Sequence, residues 1–174
     1  MKPLLFLIIC FSAQILSCNN GSDKPVNNRR PDKNELANLN SYLVQKDRER
    51  IQSYIERKKL SMTEAPSGLW YLVKKPGTGK FFMENDMVEI QYDCYLLDGT
   101  PCYSSASTGP KDILLGKSEI ETGLLEGLKM LKPGGEAIFI LPPFLAYGIV
   151  GDGGAIPPRS VLVYEVKAEI GIGK

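Results

Sequence analysis

The segment MVEIQYDCYLLDG, from Met87 to Gly99, limits the fold more than any other part of this sequence. Apolar and polar residues alternate along most of it, which is typical of a strand with one buried and one solvated face. The dipeptide Asp98-Gly99 that follows is a strong hairpin signal, so the chain should return as a second strand from about Thr100 to Ser104. An antiparallel sheet with one apolar face is therefore expected, and such a face needs a cover.

One amphipathic helix is available to cover that face. Apolar residues recur at helical spacing from Ile120 to Leu131. Ser118 and Glu121 stand three residues apart, as in a capping box, and Pro133 with the glycines after it should end the helix. Further strands are predicted at LWYLVK, EAIFILP and SVLVYEVKAEI, and a brief one at DILL. We therefore predict an α+β domain.

A longer helix is predicted ahead of the sheet, from about Asn34 to Lys59. Its apolar residues recur at spacings of three, four and eight, at Leu36, Leu39, Leu43, Ile51, Tyr54 and Ile55. Asp47 interrupts this stripe, and the other faces of the helix are heavily charged. Two interpretations stay open, namely a helix packed on its own domain and a stalk or pairing helix.

The amino terminus has the features of an export signal. Lys2 precedes a continuous apolar run from Leu4 to Phe11, far short of the ~20 residues that span a bilayer. The residues ILSC that end at Cys18 resemble a bacterial lipobox, in which the cysteine is acylated and anchors the protein to a membrane. A plain secretory signal with a coincidental cysteine is the alternative.

These features divide the chain into four predicted parts: a lipoprotein signal peptide (1–17), a tether (18–33), a helical extension (34–66) and a folded domain (67–174). Asn19 after the cysteine argues against an aspartate-type retention signal. We therefore expect the protein in the cell envelope, most simply on the outer membrane facing the periplasm.

Composition excludes several kinds of function. The sequence has no histidine, which removes Ser-His-Asp and Cys-His nucleophilic catalysis and all His-ligated metal sites. Lys and Arg number 21 against 20 Asp and Glu, so no basic excess is available for nucleic acid. We expect no cofactor, no metal and no nucleic-acid partner.

Two of the four cysteines, Cys94 and Cys102, belong to the predicted hairpin. Across a simple two-residue turn their positions place them on opposite faces of the sheet, where no bond can form. A bulge would shift one residue and bring them together. Free thiols are the favoured interpretation, and a disulfide stays open.

Residues 146–166, AYGIVGDGGAIPPRSVLVYEV, place glycines and two prolines directly before a strand. Proline is tolerated at a strand start, and glycine allows both positive φ and close approach of the backbone to a ligand. A rigid loop of this kind would hold the Tyr147 hydroxyl and an aliphatic side chain over the concave sheet face. A tight surface loop without a ligand is the alternative.

This segment resembles the carboxy-terminal signature of the FKBP-type peptidyl-prolyl cis-trans isomerases, Y-G-x-x-G-x-x-x-x-I-P-P-x-x-x-L-x-F-x-V. VEIQYDCYLLDGTPCYSS is similar to the first hairpin of that family, and LGKSEIETGLLEGLKMLKPGGEAIFILPP to the block between them. The resemblance implies a curved antiparallel sheet wrapped around one helix, and isomerisation of X-Pro bonds in unfolded or exported polypeptides. With its lipobox and leading helix, the chain is also similar to FKBP-like lipoproteins associated with gliding motility.

The resemblance also implies a shallow apolar pocket. Catalytic roles fall to Tyr147, Tyr92 and Ile156, and substrate contacts to Ile120, Glu121, Leu124, Tyr164, Cys102 and Tyr103. Glu121 stands where the family offers a backbone N–H to the ligand carbonyl, and Leu124 replaces an aromatic at the pocket floor. Cys102-Tyr103 replaces a Phe-Asp pair, so we expect a smaller wall and the loss of a carboxylate. A weakly active or inactive binding or chaperone module for a membrane-associated assembly is therefore the alternative function.

Overall fold

A computed structural model describes residues 32–172 of the chain. The elements in chain order are α1 (Lys33–Lys58), β1 (Thr63–Glu64), β2 (Trp70–Lys75), β3 (Met87–Leu96), β4 (Pro101–Ser104), α2 (Ser105–Thr108), β5 (Lys111–Leu114), α3 (Thr122–Leu128), β6 (Gly135–Leu141), a 3-10 turn (Pro143–Leu145) and β7 (Leu162–Ile170). The predicted signal peptide, the predicted lipidation site Cys18 and nearly all of the predicted tether lie outside the described residues.

Within residues 32–172 the strands form one antiparallel sheet in the order β1-β2-β6-β7-β3-β4, and β5 also pairs with β3. Strand β3 is paired on both of its edges, with β7 along its length on one edge and with β4 and β5 on the other. Its register with β7 places Tyr92 opposite Val166 and Cys94 opposite Tyr164. The predicted antiparallel α+β architecture is confirmed.

The main core lies between the sheet and α3. Leu124 and Leu128 of this helix are almost fully buried. A side chain at Gly127 would put its Cβ 2.8 Å from ring carbons of Phe139 on β6, so the glycine allows the helix to approach the sheet closely. This tight packing fixes α3 against β6, and the residue before the helix, Glu121, bonds to Tyr164 on β7.

Helix α1 covers the opposite face of the sheet. Its residues Ile51 and Tyr54 are buried in a second core, with partners on β6, on β7 and just before β7 at Ile138, Ile140, Val161 and Val163. Leu36 and Leu39, nearer the start of α1, remain half-exposed. The later part of α1 thus packs on its own domain. No helix among residues 32–172 is long and apolar enough to cross a membrane.

The predicted capping box at the start of α3 is wrong. The helix begins at Thr122, and the Ser118 hydroxyl accepts a hydrogen bond from the Leu114 N–H (2.9 Å) instead of capping it. Glu121 takes the N-cap position without a side-chain bond to the helix backbone. Its carboxylate has a tertiary partner on β7, Tyr164, which explains why local spacing misassigned it.

Candidate active site

A cavity of ≈210 Å³ opens between the sheet, the start of α3 and the loop that follows the 3-10 turn. Strands β3, β4, β5 and β7, helix α3 and the loop all contribute to its lining, which consists of Ile90, Tyr92, Tyr103, Lys111, Glu121, Leu124, Tyr147, Asp152 and Tyr164. Four tyrosines therefore surround a small apolar floor formed by Ile90 and Leu124.

The structure brings six of the nine predicted site residues together in this lining: Tyr92, Tyr103, Glu121, Leu124, Tyr147 and Tyr164. The other three lie nearby. Ile120 lines an adjoining cleft with Tyr147, Ile156 is buried in the core at 2% exposure, and Cys102 packs against the core from a partly exposed position. The functional roles of all nine residues stay predictions.

The predicted site residues do not include three of the lining residues: Ile90, Lys111 and Asp152. The resemblance marks Lys111 only as standing where the family often has an aromatic. Ile90 is one of the alternating apolar residues of β3, and that alternation was the available signal for it. Asp152 stands among loop glycines, where an aspartate is ordinary turn chemistry. No local pattern distinguishes such a residue from a solvated one.

Tyr103 closes one side of the cavity mouth without filling the cavity. Its hydroxyl donates a hydrogen bond to Asp152 Oδ2, and the side chain stays 36% exposed. The other carboxylate oxygen of Asp152 accepts from the N–H groups of Gly154 (2.8 Å) and Ile156 (2.9 Å). The hydrogen bond to Asp152 raises the pKa of Tyr103 and lowers that of Asp152. The tip of the loop is thereby tied to β4.

A second carboxylate lies deeper in the cavity. Glu121 is only 6% exposed, and its Oε1 accepts a hydrogen bond from the Tyr164 hydroxyl at 2.5 Å. Its Oε2 is buried and has no hydrogen-bond partner among the described residues. Burial, and next the charge of Glu121, raise the pKa values of both Tyr164 and Tyr147. Both phenols therefore remain protonated donors at neutral pH.

The β3–β4 hairpin beside the cavity contains a bulge, which is the irregularity that a disulfide between its two cysteines would require. The register of β3 and β4 shifts between Cys94 and Tyr95, and both Cys94 and Cys102 are free thiols. Burial raises the pKa of the Cys94 thiol to about 12. Among the described residues, no three His, Cys, Asp or Glu side chains are placed to hold a metal ion.

Comparison with known proteins agrees with this geometry. Residues 79–169 match the family model described as FKBP-type peptidyl-prolyl cis-trans isomerase. The chain belongs to this FKBP family. It is 43% identical over 102 residues to a probable FKBP-type peptidyl-prolyl cis-trans isomerase FkpA of Neisseria meningitidis, covering 58% of this chain and 37% of that protein.

Further relatives extend the match beyond one species. FkpA of Escherichia coli K12 is 34% identical over 110 residues, covering 63% of this chain and 40% of that protein. The chain spans less than half the length of the curated relatives it matches. The FKBP domain is therefore shared, while much of each relative has no counterpart in this alignment.

Solved structures share the fold. The crystal structure of FkpA from Escherichia coli superposes with a TM-score of 0.61 at 25% identity, covering 80% of this chain and 73% of that one. A peptidyl-prolyl cis-trans isomerase from Pseudomonas syringae gives a TM-score of 0.62 at 26% identity, over 74% and 92% of the two chains. Both matches cover more of this chain than the family model does.

Proposed function

We propose that this FKBP domain catalyses cis-trans isomerisation of X-Pro bonds in unfolded or exported polypeptides. The observation that carries the proposal is the cavity of ≈210 Å³, whose floor is apolar and whose walls carry protonated tyrosine hydroxyls. It accompanies membership of the isomerase family over residues 79–169.

The chemistry needs neither a base nor a nucleophile. Resonance gives the prolyl amide a rotation barrier of about 18–20 kcal/mol, and twisting the bond removes that resonance together with part of the polarity of the carbonyl. A poorly hydrated cavity disfavours the planar, polar amide more than the twisted one. Binding the twisted amide better than either planar isomer is what accelerates the reaction. The lack of histidine in the chain is then no obstacle.

Four of the lining residues, and one residue buried next to them, have a role in this mechanism. The Tyr147 hydroxyl donates a hydrogen bond to the substrate carbonyl, and burial keeps its pKa high enough for it to stay a donor. The N–H of Glu121 precedes the first turn of α3, where backbone donors lack intrahelical partners, and it supplies a second contact. Tyr92 and Leu124 contact the proline ring. Ile156 lies on the same loop as Tyr147, and its side chain, buried in the core, anchors that loop beside the cavity.

Replacing Tyr147 by Phe tests the mechanism. With a prolyl tetrapeptide, kcat/KM should fall about two- to tenfold, because one hydrogen bond contributes about 0.5–1.5 kcal/mol. Tyr95→Phe is a matched control, since the Tyr95 hydroxyl donates to Glu165 (2.8 Å) rather than lining the cavity. Unchanged turnover in Tyr147→Phe would remove the hydroxyl from the mechanism. Failure of the wild-type chain to exceed the uncatalysed rate would overturn the proposed activity.

A binding module without useful catalysis is the second candidate. The observation that favours it is the bond between Tyr103 and Asp152 at the cavity mouth, together with the exposed Lys111 on the rim. In that case the chain binds proline-containing polypeptides or a membrane-associated assembly. Suppressed aggregation of an unfolded protein, without faster isomerisation of the tetrapeptide, would select this function.

We propose further that the chain is a lipoprotein of the cell envelope, attached to the outer membrane through acylated Cys18 and facing the periplasm. The lipobox-like residues before Cys18 support this, as do the polar residues over 18–33, which suit a tether to the helical extension (34–66) and the FKBP domain (67–174). Radiolabelled palmitate should enter the wild-type protein and not Cys18→Ser. Equal labelling of both would refute the anchor.

The finer resemblance suggests clients among exported proteins of a gliding apparatus. A gliding bacterium that has lost this protein should then spread more slowly on agar, and a copy with active isomerase should restore spreading. Normal spreading without the protein would refute that role.

A further inference from the structure

We propose that α1 holds the loop over residues 147–159 in its working position through one ion pair, between Asp47 and Arg159. The two residues would be positioning residues for the isomerase site, because this loop carries Tyr147 and Asp152. The expected effect of the ion pair on turnover rests on the proposed function. Its expected effect on the position of the loop does not.

The pair is built into the packing of α1. Asp47 interrupts the apolar stripe of α1, yet it is only 4% exposed. The Arg159 Nη2 donates to its Oδ2 at 2.6 Å, and Arg50 Nη1 lies 3.6 Å from its Oδ1. A carboxylate this deeply buried requires a charged or hydrogen-bonded partner. Of the two ion pairs of Asp47, the one with Arg159 is the shorter, and it joins residues 112 positions apart in the sequence.

Arg159 also closes the base of the loop. Its backbone N–H donates to the carbonyl of Gly148 at 3.0 Å, so the first and last turns of the loop meet at this residue. Its φ is 56°, in the left-handed region that is unfavourable for a residue other than glycine. The residue is therefore held in an unfavourable backbone conformation by contacts at both its N–H and its guanidinium.

Between its two ends the loop is held by the buried side chain of Ile156 and by the bonds at its tip. Gly148, Gly151 and Gly153 have positive φ, and glycine has the largest backbone freedom to lose on ordering. The bonds at the loop tip, from Asp152 to Tyr103 and to neighbouring N–H groups, are mostly exposed to solvent. The part-buried pair with Asp47 ties the base of the loop to a regular element of the fold.

Two variants remove the pair from either side: Asp47→Ala and Arg159→Gln. A matched control is Arg48→Ala, because Arg48 lies on the same helix and pairs with Glu64 at the same distance, 2.6 Å, but joins α1 to β1. Arg159→Lys keeps the cation and should retain most of the wild-type behaviour. Asp47→Ala combined with Arg159→Gln should be no worse than either single variant, since both remove the same interaction.

Amide hydrogen exchange reads the loop directly. In Asp47→Ala and Arg159→Gln, the N–H groups of Gly154, Ile156 and Arg159 should exchange at least tenfold faster, while that of Phe139 in β6 is unchanged. In Arg48→Ala all of them should keep wild-type rates. Turnover of the prolyl tetrapeptide should fall about tenfold in the two loop variants and stay unchanged in the control.

The outcomes separate this inference from the proposed function. Unchanged exchange in the loop overturns the inference, and so does an equal rise at Phe139, because the pair would then serve stability alone. Suppose that the wild-type chain does not isomerise the tetrapeptide, while the two loop variants still show faster loop exchange. That result supports the role of the Asp47–Arg159 pair in holding the loop and overturns the proposed isomerase activity. Faster loop exchange with unchanged turnover overturns the positioning role in catalysis.

Discussion

Variants of the buried pair of Glu121 and Tyr164 measure how much a carboxylate inside the cavity lowers the free energy of unfolding. Tyr164 is 4% exposed and donates to Glu121 Oε1 at 2.5 Å, while Oε2 has no partner among the described residues. We consider three variants: Tyr164→Phe, Glu121→Ile and the combination of both. Each leaves a different number of buried polar groups without a hydrogen bond.

The structure gives an order of stability for these variants. Tyr164→Phe leaves both carboxylate oxygens without a partner, and a lost hydrogen bond to a charged group costs about 1.5–3 kcal/mol. Glu121→Ile leaves only the Tyr164 hydroxyl unsatisfied, at about 1–3 kcal/mol, and burial of the new side chain offsets about 1.5–3 kcal/mol. The double variant removes both polar groups. Replacing both partners of a buried hydrogen bond by apolar groups of similar shape is nearly neutral or stabilising.

Urea unfolding followed by the fluorescence of Trp70, the only tryptophan of the chain, measures this order. The unfolding midpoint should be lowest for Tyr164→Phe, near wild type for Glu121→Ile, and at or above wild type for the double variant, with an unchanged slope. A wild-type midpoint for Tyr164→Phe would refute the reasoning, as would a double variant less stable than Tyr164→Phe. Glu121→Ile should also retain isomerase turnover if only its backbone N–H contacts the substrate.

Three further results are expected. Gly127→Ala should lower the free energy of unfolding by about 1–3 kcal/mol through overpacking against Phe139, and an unchanged melting temperature in calorimetry would contradict this. Iodoacetamide should modify Cys102 before Cys94, because Cys94 is 1% exposed with a pKa of about 12; equal labelling in peptide mass spectra would argue otherwise. A hydrogen bond from Lys74 lowers the pKa of Glu165 below 4.5. The stabilisation from the ionised Glu165 is therefore present above that value and lost as pH falls through the folded pKa. Glu165→Gln should therefore flatten the acid side of a plot of urea midpoint against pH, and an identical plot would contradict it.

Much of the sheet was predictable because its signals are local. The alternation along β3 and the turn at Asp98-Gly99 define a hairpin, whose second strand begins at Pro101, one residue after the predicted Thr100. The predicted strand from Leu69 to Lys74 corresponds to β2, shifted by one residue at each end. Side-chain alternation and turn chemistry act between near neighbours, so a single sequence carries them.

The polar contacts of the site were not predictable in this way. Glu121 matches a capping-box spacing, yet its partner Tyr164 lies 43 residues away on β7. Asp47 interrupts a helical stripe, and its partner Arg159 follows 112 residues later. Each pairing depends on how α1, α3 and the loop pack together. No local sequence feature of either residue indicates its partner.

The open interpretations of α1 follow from the same limit. The apolar stripe runs along most of the helix, but only its later part meets the sheet, where Ile51 and Tyr54 are buried. Leu36 and Leu39 continue the same spacing and remain half-exposed. Periodicity therefore locates the helix and its apolar face, while the extent of the contact depends on the size of the surface beneath it.

Tyr103 stands in the hairpin where the resembled family has an aspartate, and its effect on the site differs from the one predicted from the sequence. A lost carboxylate was predicted, but the Tyr103 hydroxyl donates to Asp152, and Glu121 brings a second carboxylate into the lining. Tyr103 lines the cavity from β4 while its hydroxyl bonds to the loop, and a volume of ≈210 Å³ stays open. In this chain the acidic groups of the lining therefore lie on the loop and at the start of α3 rather than on the hairpin. Leu124 and Tyr147 still line the cavity, and they supply the apolar surface and the donor hydroxyl on which the proposed mechanism depends.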